Sequence, residues 1–392
     1  MSDIDQQLFD RAVAVLPGGN TRATLFVAPH PPYAVRGKGA EVTDVDGHVV
    51  IDCNNNYTAL IHGHADAEIL DVARTVAAEG TAFGLPTRFE IEMAEALRDR
   101  TGGMAQWRFC NSGTEAVMML IRAARAYTGR DIIIRFEGSY HGTYDAVVPP
   151  TAKGVPAALT NTVIEVPQGD IDAVERVLEK HRGQVAAVLI DLMPNRAGLK
   201  PASAEAVSRL DALVKRHDVL LAVDEVITFR LEYGGLHSRY GITPDLVSLG
   251  KVIGGGFPVG AVGGRAEVLS SFSPLTAGPV SWGGTFSANP VTMAAGLTAL
   301  RRLTPAVIAD LNARGDALRS RLSEAGVPAN GSGSLVRLVF SEPTRSWWAL
   351  YRAGVLVGTN GLIALSTAMT DEHIATIGDA VIAVHAENTK NG

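Results

Sequence analysis

Asp224 follows the apolar run 219–223, and Lys251 stands just past the next one, 246–249. A carboxylate at one strand end and an amine at the next meet the two demands of pyridoxal phosphate chemistry. The amine forms a Schiff base with the cofactor's aldehyde. The carboxylate keeps the pyridine nitrogen protonated, so the ring can act as an electron sink. Gly250, Gly254, Gly255 and Gly256 around the lysine allow close backbone approach. They lack the spacing and following helix of a dinucleotide fingerprint, which excludes that reading.

Asn111-Ser112-Gly113-Thr114-Glu115 follows a strand and opens a helix with Val117, Leu120, Ile121 and Ala124 on its apolar face. Small residues at a helix start leave backbone N–H groups for a phosphate. Ser112 with Glu115 also reads as a plain capping box, and the motif alone favours that. Lys251 and Asp224 tip the balance to phosphate. Tyr140-His141-Gly142 follows the next strand, where Tyr140 could stack on one face of the pyridine ring and Val226 pack the other. By itself a Tyr-His pair is more often core or interface than a site. Gly283-Gly284-Thr285-Phe286 offers a third set of phosphate donors, which a second subunit could supply.

These residues need a scaffold that brings strand ends together. From about residue 65 the pattern predicts helices at 68–79, 87–101, 114–128, 171–182 and 203–217. They alternate with apolar strands at 106–109, 131–136, 162–166, 186–192, 219–223 and 246–248. Such alternation predicts an α/β fold with a mostly parallel central sheet flanked by helices. Before it come a short amphipathic helix at 4–16 and an alternating stretch at 33–50, with Asp44-Val45-Asp46-Gly47 as a turn. After it, a helical segment at 290–325 leads to a smaller α+β end with strands near 334–340 and 362–366. The expected division is an N-terminal arm with a small antiparallel segment (1–48), a large cofactor-binding domain (49–290) and a small C-terminal domain (291–392). The loop 146–161, rich in Pro, Ala and Thr, has the length of a mobile lid.

Composition sets outer limits. With 392 residues, 46% hydrophobic and 19% charged, the chain can bury a large core. A net charge of −6 gives no basic excess for a nucleic-acid partner, and Lys215-Arg216-His217 reads as a solvated helix end. Cys53 and Cys110 cannot form a disulfide framework and fit a reducing compartment. The opening residues show no cationic, apolar leader, and no run of 18 apolar residues indicates a membrane span. A soluble cytoplasmic protein is expected. His62 and His64 flank a glycine, which is weak evidence for a metal, so none is assigned. Cys110 reads as a small buried residue rather than a nucleophile.

Together with Leu16-Pro17-Gly18-Gly19-Asn20 and Phe83-Gly84-Leu85-Pro86-Thr87, these motifs resemble the class III aminotransferases of pyridoxal phosphate fold type I, over nearly the whole chain. The nearest branch holds glutamate-1-semialdehyde 2,1-aminomutases and β-amino acid aminotransferases. The resemblance implies a homodimer with active sites at the subunit interface. It assigns the Schiff base to Lys251, the pyridine nitrogen to Asp224 and ring stacking to Tyr140. It gives the phosphate to Ser112, Gly113 and Thr114, with Thr285 from the partner. His141 and Val226 complete the expected cofactor contacts.

Aminomutases usually continue Pro-Gly-Gly with Val-Asn-Ser-Pro-Val-Arg. This chain reads Asn20-Thr21-Arg22-Ala23-Thr24, closer to the β-amino acid enzymes, whose arginine here holds a substrate carboxylate. Arg22 is therefore the main candidate clamp, with Tyr57 beside it as a substrate residue. A surface arginine on the arm is the alternative. Two departures stand out. Gly358-Thr359-Asn360-Gly361 lies where such enzymes tend to carry a second arginine, and Asp191-Leu192-Met193-Pro194-Asn195-Arg196 replaces a common Glu-Pro. Arg196 is the candidate substitute, or it merely pairs with a surface acid. Arg230 is expected to support the Asp224 loop. The implied activity is transamination between an amino acid, β-amino acids favoured, and a keto acid. The same residues would serve an aminomutase or an amino acid racemase.

Overall fold

The computed structural model describes residues 3–149 and 151–390, so Pro150 of the expected lid and the outermost residues of both end segments lie outside it. Three strands come first: β1 (Ala34–Lys38), β2 (Glu41–Asp44) and β3 (Val49–Asp52). Seven follow: β4 (Gln106–Cys110), β5 (Ile132–Phe136), β6 (Val163–Val166), β7 (Val185–Ile190), β8 (Leu220–Asp224), β9 (Leu246–Gly250) and β10 (Gly260–Gly264). The last four are β11 (Ala329–Ser332), β12 (Leu335–Leu338), β13 (Val355–Leu356) and β14 (Leu362–Ala364). The chain divides into two units, Met1–Ala67 with Ala309–Gly392, and Glu68–Ile308.

The unit spanning 68–308 is built on a seven-stranded sheet in the order β4-β10-β9-β8-β7-β5-β6. The pairs from β9 to β6 are parallel, while β10 runs antiparallel to β9 and to β4. Every residue of β7, β8 and β9 is buried. Such largely apolar, fully buried runs suit central parallel strands covered on both faces. The helix Gly113–Thr128 covers part of one face, and its buried Ala116, Val117, Leu120 and Ile121 join Ile133, Ala187, Ala222 and Val262 in one core. Gly129, with φ of 66°, ends that helix in a left-handed cap. All strands but β10 share one direction, so their carboxyl ends lie along one edge, where ligands bind in open α/β sheets.

Strand β10 was not foreseen, because Gly-Ala-Val-Gly-Gly reads as loop. Its glycines are demanded by close packing: a Cβ on Gly260 would lie 2.0 Å from the Ser112 carbonyl oxygen, and one on Gly263 2.4 Å from the Trp107 ring. The expected 290–325 helix is two helices, Pro290–Arg302 and Pro305–Glu324, because Pro305 cannot continue the first. The start of the 146–161 loop is anchored, with Ala146 and Val147 in the core.

In the other unit β1, β2 and β3 form an antiparallel meander, with β13 added in parallel to β3. The 33–50 stretch thus holds two turns. At the second, the Asp44 carboxylate accepts the backbone N–H groups of Asp46 and His48. Strands β11, β12 and β14 form a separate antiparallel sheet. The helices Asp3–Val15, Pro343–Arg352 and Asp371–Lys390 belong to the same unit. Among the described residues no helix is long and apolar enough to cross a membrane.

Candidate active site

Register brings the acid and the amine to neighbouring strand ends. In the β8–β9 pair Asp224 lies opposite Ser248, and Lys251 follows directly after β9. Asp224 is buried and accepts three hydrogen bonds. Its Oδ2 accepts from His141 Nδ1 at 2.7 Å, and its Oδ1 accepts from Ser248 Oγ at 3.0 Å and Val226 N at 3.1 Å. Burial alone would raise its pKa, but the His141 pair and these hydrogen bonds outweigh it and hold the carboxyl below the usual range. His141 Nε2 is buried without a hydrogen-bond partner.

The adjacent acid does different work. Glu225 Oε1 accepts from His237 N and His237 Nδ1, and its Oε2 from Leu236 N and Thr228 Oγ1. Its oxygens are spent on pinning the turns that follow β8. Arg230 is buried within them, and desolvation pulls its pKa down to about 9.

Lys251 has a φ of +50°, a left-handed backbone that disfavours any residue with a Cβ by roughly 1–2 kcal/mol. Strain of this kind persists where surrounding structure imposes it, often at functional sites. Burial lowers the pKa of its ammonium, against the pull of Asp224 and Asp191. Asp191 stands just past β7, buried, its Oδ1 accepting from Met193 N at 2.9 Å. Burial first, then the charge of Asp224, raises it to about 8. Two acids at adjacent strand ends are thus pushed apart: Asp224 is held ionised and Asp191 protonated near neutrality.

At the start of the helix Gly113–Thr128, Ser112 caps the helix and Glu115 reaches back to the residue before it. Ser112 Oγ accepts from Glu115 N at 3.2 Å, and Glu115 Oε2 accepts from Asn111 N at 2.8 Å. The cap leaves the Gly113 and Thr114 N–H groups, at the first two helical positions, without intrahelical partners. A Cβ on Gly113 would lie 2.9 Å from Val226, and one on Gly142 2.6 Å from Thr114 Oγ1. Val226 and the Tyr140–His141–Gly142 loop therefore both press on this helix start.

Tyr140 is 39% exposed, and the Arg196 guanidinium lies over its ring at 3.9 Å from the centroid. Among the described residues no acid lies within ion-pair distance of Arg196, so it stacks rather than pairs. Thr285 is exposed, in a turn before the helix Pro290–Arg302. Cys110 is buried and its thiol is pushed up to about 12, mainly by desolvation, as suits an inert packing residue.

Arg22 and Tyr57 belong to the other unit. They line a cavity of about 540 Å³. Arg22 Nη1 donates to Asn56 Oδ1 at 2.7 Å, and Tyr57 Oη donates to the Thr24 carbonyl. His64 Nε2 lies 2.7 Å from Asp52 Oδ2, and His62 Nδ1 3.0 Å from Thr367 Oγ1. Sequence reasoning missed the pairing of His141 with Asp224, the roles of Ser248 and Asn56, and the protonation of Asp191. Only Ser248 gave a signal, as a lone polar residue inside an apolar strand.

A buried ionised carboxylate, a desolvated amine, free helix-start N–H groups and an accessible aromatic ring form a donor set that fits pyridoxal 5′-phosphate. Comparison with known proteins agrees. Residues 27–381 match the aminotransferase class-III family. A glutamate-1-semialdehyde 2,1-aminomutase of Persephonella marina is 41% identical over 86% of this chain and 83% of its own. An omega-transaminase structure from Sphaerobacter thermophilus is 45% identical with a TM-score of 0.93, covering 97% of this chain and 96% of that one. A beta-phenylalanine aminotransferase from Variovorax paradoxus is 32% identical with a TM-score of 0.92, over 99% and 94%. The chain is a pyridoxal phosphate-dependent enzyme of fold type I and belongs to the class III aminotransferases.

Proposed function

We propose that this enzyme moves an amino group between a β-amino acid and a keto acid, with Lys251 as the Schiff-base lysine. The observation that carries the substrate class is the Arg22 guanidinium in a cavity also lined by Leu25, Val42, Leu60 and Trp347. A cation beside apolar walls suits a carboxylate attached to an apolar body. Glutamate-1-semialdehyde has the carboxylate but no apolar body.

When bound, pyridoxal phosphate supplies an aldehyde to carry the amino group and a ring that withdraws electrons. Asp224, held ionised by His141, Ser248 and Val226 N, stabilises a proton on the ring nitrogen. Lys251, its proton affinity lowered by burial, can carry a proton at Nζ to and from the substrate carbon. Ser112 and the Gly113 and Thr114 N–H groups would hold the phosphate, with Thr285 added by the partner in a homodimer. Tyr140 and Val226 would cover the ring. Arg22 and Tyr57 hold the substrate carboxylate, and Arg196, stacked on Tyr140, offers a second cation. Two buried free thiols fit a cytoplasmic setting.

The aminomutase reading is kept because of the 41% identical relative. The two separate in one experiment: record the cofactor's absorption while adding a β-amino acid, then a keto acid. Loss and return of the band supports transamination. No response to β-amino acids, with conversion of glutamate-1-semialdehyde, overturns it.

A further inference from the structure

We propose that Asn56 is a positioning residue for Arg22, aiming the guanidinium through a neutral oxygen so that its charge stays available to a carboxylate. The proposal rests on the reading of Arg22 as the carboxylate clamp. Its first support is a run of left-handed backbone. Asn55, Asn56, Tyr57 and Thr58 have φ of 48°, 50°, 54° and 77°. Four consecutive side-chain-bearing residues in this region are unfavourable and need external support.

That support is specific. Asp52 Oδ1 accepts the backbone N–H groups of Asn54 and Asn55 at 2.8 and 2.9 Å. Asn54 Oδ1 accepts from Tyr57 N, and the buried Asn55 Nδ2 donates to the Ala364 carbonyl at 2.6 Å. The turn therefore projects two side chains at the Arg22 segment. Asn56 takes the guanidinium, and Tyr57 Oη bonds the Thr24 carbonyl. Thr359 Oγ1 bonds the same carbonyl at 2.9 Å. The Arg22 segment is thus fixed twice, at the guanidinium by Asn56 and two residues on, at the Thr24 carbonyl, by two hydroxyls. Asn56, Arg22, Tyr57 and Thr359 all line the cavity of about 540 Å³.

The chemistry of the acceptor matters. An aspartate could occupy the same backbone and accept the same bond, but its charge would satisfy Arg22 internally. Among the described residues no acid lies within ion-pair distance of Arg22. Asparagine gives direction without neutralisation, and it tolerates positive φ better than most residues.

The test uses holoenzyme with 3-amino-3-phenylpropanoate and 1-phenylethylamine, the same amine without the carboxylate. The readout is the ratio of their kcat/KM values, in which any general loss of fold or cofactor cancels. If either fails to turn over, the ratio comes from the concentrations that half-shift the cofactor's absorption. Asn56→Gly keeps the left-handed turn but removes the acceptor, and should lower the ratio roughly three- to tenfold. Asn56→Asp should lower it further by pairing with Arg22, and Asn56→Gly should add little once Arg22→Ala is present. If Arg22→Ala collapses the ratio while both Asn56 variants leave it at the wild-type value, positioning by Asn56 is wrong and the clamp stands. If Arg22→Ala itself leaves the ratio unchanged, the clamp reading fails and takes this proposal with it.

Discussion

Lys251 and Arg22 are both basic side chains, yet their surroundings differ in kind. Lys251 sits among ionisable groups, where burial and the charges of Asp224 and Asp191 set its proton affinity. Arg22 is exposed and meets a neutral amide. A group that must gain and lose a proton is tuned by burial and charge. A group that must only recognise is tuned by direction. Both regions spend backbone strain on this, one residue at Lys251 and four at 55–58. At 55–58 the Asp52 carboxylate and the Asn54 and Asn55 amides hold the strained segment.

The comparison breaks most sharply at the amine. Lys251→Ala should reduce turnover by about three orders of magnitude or more, since both the covalent link and the proton carrier disappear. Single-turnover kinetics with far-UV circular dichroism as a fold control checks this. Retention of a tenth of the activity would place the proton transfer elsewhere.

Next comes the acid. Asp224→Asn should lower kcat roughly 10²- to 10³-fold while changing cofactor affinity much less, because its charge matters most when electrons flow into the ring. His141→Ala tests what keeps that acid ionised. Without the histidine, burial is opposed by the weaker hydrogen bonds of Ser248 and Val226 N, and the Asp224 pKa should rise. The ionised form is the active one, so activity is lost as pH falls through this pKa. The acid limb of the pH–rate profile should therefore move to higher pH in His141→Ala. An unmoved limb would mean that Ser248 and the backbone suffice.

Asp191 sharpens the contrast through stability. Its carboxyl is raised to about 8 in the fold, against about 3.9 in an unfolded chain. The folded state binds the extra proton between these values, so this group's stabilisation is complete below the lower one and is lost as pH rises toward 8. Asp191→Asn removes the titration. Urea unfolding of the apoprotein at pH 5 and pH 8.5 should show a shallower pH dependence in the variant, by at most a few kcal/mol. Equal pH dependence would show that Asp191 is ionised throughout.

The residues read first in the sequence are those whose chemistry survives without context. Lys251, Asp224 and the Ser112–Gly113–Thr114 helix start were legible because apolar runs and small residues mark strand ends and helix starts. The parallel sheet was legible from the same alternation. Strand β10 was not, because glycines chosen for contact with Ser112 and Trp107 look like loop until their neighbours are known. The pairing of His141 with Asp224 joins positions 83 apart in sequence, and no periodicity encodes it. Asn56 was invisible for another reason. Its role comes from a left-handed turn that Asp52 and Ala364 impose, against the ordinary preference of its own residues.

The smallest expected effect lies at Thr24. Its carbonyl oxygen accepts from both Tyr57 Oη and Thr359 Oγ1, one bond for each lone pair. Removing one hydroxyl leaves the other in place, so Tyr57→Phe or Thr359→Val alone should raise KM for a carboxylate substrate only about two- to fivefold. Removing both frees the backbone beside Arg22, and the double variant should exceed the product of the singles. A double variant no worse than the product would mean that Asn56 alone aims Arg22. A cooperative loss would mean that the two hydroxyls share in fixing the segment that carries Arg22.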